Sequence, residues 1–321
     1  MSLRKSLIII FCALLCLPLA GKASKAPLKV GTYNLCTSDS RVKSLKKGKF
    51  KSTQKYWCNS AVAVAAMIND LDCDVLGMQE VCDSIWGVKG NYGLQKLCAA
   101  ASGGERYGWI CYPNTKKGTI SYDDAICYRK DRLTELESGI FYLGGNPDKP
   151  VRVSGAPKGT ARPCVWARFK DKTTGKKFFF VSVHLVLGSM YKDGGTEYNA
   201  ARCIEYLTEQ IIPRKVPSII VGDFNAESGS KAFDVMCSSW WMDAYLFLKG
   251  EDKLGENELK AGTQPKKDES GFGKWRPDHI MFSRHWTPSD FHIDRRMFPT
   301  ADGSLHFPSD HLPVVCTLNL K

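Results

Sequence analysis

Short apolar runs that end in polar residues recur along this chain. Runs with strand character lie at 28–35 (LKVGTYNL), 73–80 (CDVLGMQE), 123–130 (DDAICYRK), 134–143 (TELESGIFYL) and 164–169 (CVWARF). Others lie at 177–186 (KFFFVSVHLV), 217–224 (PSIIVGDF), 277–283 (PDHIMFS) and 312–320 (LPVVCTLNL). Helical stretches are predicted at 59–71, 93–101, 196–212 and 229–237. In the third, Ala200, Cys203, Ile204, Leu207 and Ile211 follow the i, i+3, i+4 spacing of one helical face. Strand runs with no helix between them, at 123–143 and 164–186, predict antiparallel hairpins. Many strands with few helices predict an α/β (α+β) fold: two packed mixed sheets covered by helices, not one parallel sheet. No repeat, linker or composition shift interrupts 24–321, which reads as one domain.

The first residues stand apart from this pattern. Arg4 and Lys5 precede an apolar run from Leu7 to Ala20, and small residues follow. That is the layout of a secretory signal peptide over 1–23, with Gly21-Lys22-Ala23 as the cleavage region. The run is short for a membrane anchor, which needs about 20 apolar residues. Phe11 before Cys12 and Leu15 before Cys16 argue against a lipid anchor. The expected location is therefore secreted or periplasmic.

Charge and cysteines change the picture modestly. The chain carries a net charge of +12, and loss of 1–23 removes three basic residues and no acids, leaving +9. Such a balance favours a polyanionic partner, nucleic acid above all, or an anionic surface. Of 13 cysteines, two lie in the leader, and none of the rest forms a Cys-x-x-Cys pair. Cys127 and Cys316 sit in strand-like runs and read as buried core residues. Export permits disulfides, and Cys36 and Cys58 bracket a Lys-rich insertion, 36–57, that such a bond would close. A second excursion, 249–275, is polar and Gly-rich. Both read first as solvated loops and second as binding rims.

The chemistry lies where the runs stop. Asn34 and Glu80 end two of them, and His184 lies near the end of a third. Asp223 and Asn225 close SIIVGDFN, Asp278 opens DHIMF, and Asp310 and His311 precede the last strand. Buried sheets carry such groups at a cost unless they are paired or bind an ion. Carboxylate and amide oxygens suit Mg²⁺ or Mn²⁺. A histidine beside a carboxylate can move a proton, and a second histidine and an asparagine can donate to phosphate oxygens. Taken singly, each residue has a plainer reading. Asn34 could be a turn residue, Glu80 could open a helix, His184 could be a satisfied core histidine, and Asp310 could cap a turn. Asp223 and Asn225 could cap the helix near Gly229, although Glu227 and Ser228 are closer to it.

Taken together, TYNL, QE, VHL, GDFNA, DHI and SDHLPV, in this order, resemble the endonuclease/exonuclease/phosphatase superfamily. The resemblance spans about 28–320. That superfamily includes secreted deoxyribonucleases, abasic-site endonucleases, deadenylases, sphingomyelinases and inositol polyphosphate 5-phosphatases. It implies a four-layer α/β sandwich with the site at one edge of two sheets. By motif, Glu80 is the principal metal ligand, supported by Asn34 and Asp310. Asp223 orients the attacking water or assists a second metal position, and Asn225 contacts the scissile phosphate. His311 handles the proton and is oriented by Asp278, while His184 bonds the phosphate and helps the leaving oxygen. Arg162, in ARPCVWARF, stands where many members place a phosphate-contacting basic residue. The implied reaction is in-line attack by water on a phosphodiester, without a covalent enzyme intermediate.

Two departures bear on the substrate. The histidine strand continues HLVLGS, where many members carry Asp or Asn, and the first strand runs on to Cys36 without the acid of some abasic-site enzymes. Rival chemistries lack their signatures: there is no Gly-x-Ser-x-Gly, no Walker loop and no His-Glu-x-x-His. A phospholipid, a sugar or inositol phosphate, or a non-catalytic polyanion-binding role on the same fold remain the alternatives to a nuclease. The binding role would be marked by loss of Glu80 or His311, and both are present.

Overall fold

The computed structural model describes residues 26–35, 61–81, 92–112, 123–151, 162–188, 195–266, 271–299, 303 and 305–321. The leader, the Lys-rich insertion and the Cys36–Cys58 pair lie outside the described residues.

Two six-stranded mixed sheets form the framework. The first contains β1 (Leu28–Asn34), β2 (Val75–Val81), β3 (Tyr107–Cys111), β4 (Asp123–Arg129), β11 (Trp286–Ile293) and β14 (Val314–Leu320), in the order β11-β14-β1-β2-β4-β3. The second contains β5 (Leu133–Tyr142), β6 (Pro163–Asp171), β7 (Lys177–His184), β8 (Ser218–Asp223), β9 (Trp241–Asp243) and β10 (Asp278–Ser283), in the order β5-β6-β7-β8-β10-β9. A two-residue ribbon, β12 (Phe298–Pro299) with β13 (Leu305–His306), lies apart.

Alternation within the strands decides the layers. Val30, Val75, Ile126, Val165, Phe178, Phe180, Val221, Ile280 and Val314 share the core between the sheets. Phe179, Val181, Val183, Ile220 and Met281 face the other way, onto α3 (Gly195–Tyr206) and α4 (Lys231–Met236). Tyr33, Leu76, Met78 and Val315 do the same beneath α1 (Ala61–Leu71) and α2 (Tyr92–Ser102). Period-2 patterning with both faces buried produces the four layers that the sequence implied. Two shorter helices, α5 (Ala244–Gly250) and α6 (Glu256–Lys260), follow β9.

The structure departs from the sequence pattern in four places. Residues 123–143 are not a hairpin: β4 pairs with β2 and β3, whereas β5 pairs with β6. The three residues after Arg129 carry the chain from one sheet to the other, and a short turn looks the same in sequence whichever sheet it enters. Helix α3 ends at Tyr206, and Leu207–Ile211 continues as a π turn instead of extending the helix to 212. Helix α4 is capped by Ser230, whose Oγ accepts from Phe233 N at 3.3 Å, and not by Glu227 or Ser228. Strands β3, β9 and β11 and helices α5 and α6 carried no run long or regular enough to be read.

Candidate active site

Strand register gathers the polar residues. His184 lies opposite Asp223 in the parallel β7–β8 pair, and Asp223 lies opposite Asp278 in the antiparallel β8–β10 pair. The three therefore form one row across the second sheet. In the first sheet, Asn34 lies opposite Gln79, with Glu80 next in the chain. Packing the sheets face to face brings the two rows together, and Asn34 Nδ2 donates to Asp223 Oδ2 at 3.0 Å. The approach of β8 to β7 needs Gly222: its φ is +153°, and a Cβ there would lie 1.8 Å from the Val183 carbonyl oxygen.

Asp223 is the hub. Its Oδ1 accepts from Asn225 N at 2.8 Å, closing the turn after β8. Its Oδ2, besides Asn34, lies 3.5 Å from His184 Nε2 and 3.7 Å from His311 Nε2. Burial pushes this carboxyl up to about 7, against the pull of His311 and with the push of Asp278. Asn225 sits in the left-handed region (φ +47°), and so does Glu80 (φ +54°). Non-glycine residues seldom adopt that conformation, and it is concentrated at functional sites. Asn225 Nδ2 donates to the Leu185 carbonyl at 2.8 Å, which fixes the amide.

His311 is oriented as expected, with Nδ1 2.9 Å from Asp278 Oδ2. A carboxylate can only accept, so Nδ1 carries a proton. Burial works against a charged ring, but Asp278 and Asp223 outweigh it and hold the imidazole up at about 10. Ser309 supports the loop: its Oγ donates to the Asn34 carbonyl at 2.6 Å and accepts from His311 N at 3.2 Å.

His184 behaves differently. Arg162 Nη1 lies 3.2 Å from its Nδ1. Guanidinium only donates, so Nδ1 accepts and the proton sits on Nε2, facing Asp223. Burial first, then the Arg162 and His311 charges, hold this ring well below the usual imidazole range. One histidine is therefore kept neutral and the other is pushed toward its charged form, the separation expected of groups with different proton roles. Arg162 joins the site, in contact with His184.

A clamp beneath the site was not foreseen. His279, next to Asp278, has Nδ1 3.0 Å from Asp243 Oδ2 and Nε2 2.9 Å from the Ala226 carbonyl oxygen. Both partners are acceptors, so both ring nitrogens donate. Burial opposes that charge, but the Asp243 bond and carboxylate prevail and raise the ring's affinity for the second proton. Phe224 stacks on it and Phe233 lies tilted against it, with centroids at 5.1 and 4.9 Å. The turn bearing Asp223 and Asn225 is thus tied to β9 and β10. Two more residues come from the polar segment after α6. Thr263, fully buried, donates from Oγ1 to Asp278 Oδ2, and Gln264 Nε2 lies 2.8 Å from His311 Nε2. That segment has no periodic pattern; its only sequence signal was its position just before the DHI strand.

The donors suit a hard divalent cation. Asp223, Asp278 and His311 each bring one donor atom within 4.8 Å of the others. Asp278 Oδ1 is buried without a hydrogen-bond partner among the described residues. Asp278 and His311 already hold each other, and the ligands implied by resemblance are Glu80, Asn34 and Asp310. All three lie at this edge, flanking the residues just described. A bound cation would supply a polarised water and positive charge beside the phosphate.

Comparisons with known proteins agree with this fold. Mouse nocturnin is 27% identical over 180 residues, which are 53% of this chain and 40% of that protein, so the match spans less than half its length. An endonuclease/exonuclease/phosphatase family protein from Bacteroides thetaiotaomicron superposes with a TM-score of 0.70 at 23% identity, over 92% of this chain and 98% of the other. A mannosyl-6-phosphatase from the same species superposes at 0.69 with 24% identity, over 91% and 99%. D. rerio TDP2 with a single-strand DNA product superposes at 0.60 with 17% identity, over 92% and 99%. The family profile described as Endonuclease/Exonuclease/phosphatase matches residues 31–311, from the first strand to the site histidine. The chain belongs to the endonuclease/exonuclease/phosphatase family of phosphoester hydrolases.

Proposed function

We propose that this protein is an exported, Mg²⁺- or Mn²⁺-dependent phosphoesterase that cleaves a phosphodiester, with nucleic acid as its substrate. The observation that carries the chemistry is the convergence of Asn34, His184, Asp223, Asp278 and His311 at one sheet edge, with Asp223 in contact with Asn34 and within 3.7 Å of both histidines. Asp223, ionised, orients the attacking water by accepting a hydrogen bond from it. Asn225, with the second hydrogen of the amide held at Leu185, and the Nε2–H of His184, directed at Asp223 in the free protein, would donate to the phosphoryl and leaving oxygens. His311, braced by Asp278, presents Nε2 for proton exchange. The metal's role is to polarise the water and offset charge on the phosphoryl group; Glu80, Asn34 and Asp310 would hold it. The +9 charge left after leader removal supports a polyanionic substrate.

A second reading has its own support. The mannosyl-6-phosphatase likeness covers almost the whole of both chains, which favours a sugar phosphate monoester on the same site. A panel of plasmid DNA, RNA, sphingomyelin, inositol phosphates and hexose 6-phosphates separates them, each assayed with and without Mg²⁺. Metal-dependent cleavage of DNA or RNA above the monoesters is expected. Turnover confined to hexose phosphates would transfer the assignment, and binding without turnover of any of them would leave a polyanion-binding protein. Export is tested by the mature N-terminus, expected just after Ala23.

A further inference from the structure

His311 has one nitrogen left for chemistry. Nδ1 is committed to Asp278, so only Nε2 can address a substrate. That nitrogen is already covered, at 2.8 Å, by the amide of Gln264, whose NH₂ donates to it while the ring is neutral and whose oxygen must turn to it once the ring is charged. Gln264 is delivered by a ribbon with little freedom. Its carbonyl accepts from Gly273 N at 2.8 Å, and Thr263 before it donates to the Trp275 carbonyl at 3.0 Å and accepts from Leu312 N at 2.7 Å. The Thr263 hydroxyl is held by Asp278 itself. The amide, half-buried, is therefore aimed at the site by its backbone.

Any oxygen that takes His311 Nε2 at hydrogen-bond distance must displace the Gln264 amide from it or share it. A primary amide is suited to this, since it carries two donors and one acceptor and rotates about a soft terminal torsion. We propose that Gln264 is a substrate-contacting residue: it occupies His311 Nε2 in the free protein and, when a phosphoryl oxygen arrives there, turns to donate to that oxygen. The ligand chemistry is a phosphate group with at least one non-bridging oxygen, free or esterified. The inference rests on the phosphoesterase reading above. It also gives the segment 249–275 a function beyond a surface loop.

Two experiments test it. In Mg²⁺-loaded protein, the glutamine side-chain amide signals are followed by ¹H–¹⁵N NMR as inorganic phosphate is added, with Gln264 assigned by its loss in Gln264→Ala. A saturable shift of that signal is expected; its failure to move overturns the proposal, whatever other signals do. In steady-state kinetics, Gln264→Ala should lower kcat/KM about ten- to hundredfold, mainly through KM, as loss of a hydrogen bond to a charged group does. Gln264→Glu should fall further, by repelling the anion, with thermal midpoints unchanged in both. Unchanged kcat/KM, or a loss confined to kcat, overturns it. If the wild type hydrolyses no phosphoester, the functional reading fails, and the NMR titration still decides the role of Gln264.

Discussion

The two ends of the sandwich use the same residue types in opposite ways. At the far end, Arg132 grips Asp171 through two bonds of 2.9 and 3.0 Å, and Thr173 N and Thr174 Oγ1 complete the carboxylate at 2.8 Å each. Burial pushes Asp171 up, but those bonds outweigh it and hold it below the usual carboxylate range. Arg129 pairs likewise with Asp72 and Asp131, whereas Asp74, deeper and with Arg129 and Arg132 only at 3.8 and 3.9 Å, is raised by burial. At the site end, Asp223 meets two histidines and an amide, with no arginine partner among the described residues, and is pushed up to about 7. Asp278 keeps one buried oxygen unpartnered among the described residues. A carboxylate at a strand end is therefore not itself a sign of chemistry. An arginine-matched carboxylate is a staple; one that is buried and under-matched is held ready for a cation, a water or a proton.

Substitutions should separate the two ends. The largest effect is expected from Asp223→Asn: kcat/KM falls by about 10²–10⁴, the range for losing a positioned acid–base group, while the thermal midpoint is kept. A comparable loss of stability would mean that Asp223 is a staple too. Asp171→Ala should do the reverse, destabilising the fold by about 1.5–3 kcal/mol through loss of the charge-assisted bonds to Arg132, which keeps Asp74 at 3.9 Å and the Ala26 carbonyl. Activity per folded molecule should be retained, and denaturant unfolding alongside kinetics checks both. His279→Phe should cost about tenfold in kcat with KM little changed, because the Ala226 carbonyl loses its donor and the turn bearing Asp223 loosens. Equal losses in His279→Phe and wild-type levels in Asp243→Asn would break the clamp as described.

The smallest effect lies in the pH profile. Asp223 must be ionised to hold water, and its carboxyl is raised to about 7. The ionised form is lost as pH falls through that value, so activity at low metal concentration should drop about tenfold per pH unit below it. A cation favours the ionised form, so raising Mg²⁺ should move this limb to lower pH. A limb that ignores metal concentration would separate Asp223 from the metal site.

Much of the site was legible because its residues end strong apolar strands. Asn34, His184, Asp223 and Asp278 sit at fixed places in period-2 runs, so register alone brings them to one edge. The same regularity made the two packed sheets readable. What stayed hidden has physical causes. The crossing from β4 to β5 depends on which sheet a short turn enters, and that is decided by tertiary packing. The pairing of Arg162 with His184 is a contact across β6 and β7, and spacing along one chain does not display it. Thr263 and Gln264 lie in an irregular segment held by scattered backbone bonds, where no periodicity exists to be read. His279 points away from Asp278 because neighbours on a strand face opposite sides, so its bridge to Asp243 and Ala226 appears only in three dimensions.

The central claim is that the edge built around Asp223 and His311 is a metal-dependent hydrolytic site. The direct measurement is hydrolysis of bis(p-nitrophenyl) phosphate by the wild type, Glu80→Gln and His311→Ala, each with Mg²⁺ or Mn²⁺ and with a chelator. The account predicts metal-dependent turnover in the wild type, abolished by the chelator and reduced by about 10²–10⁴ in both variants, with their folds intact. Turnover in either variant equal to that of the wild type would contradict it.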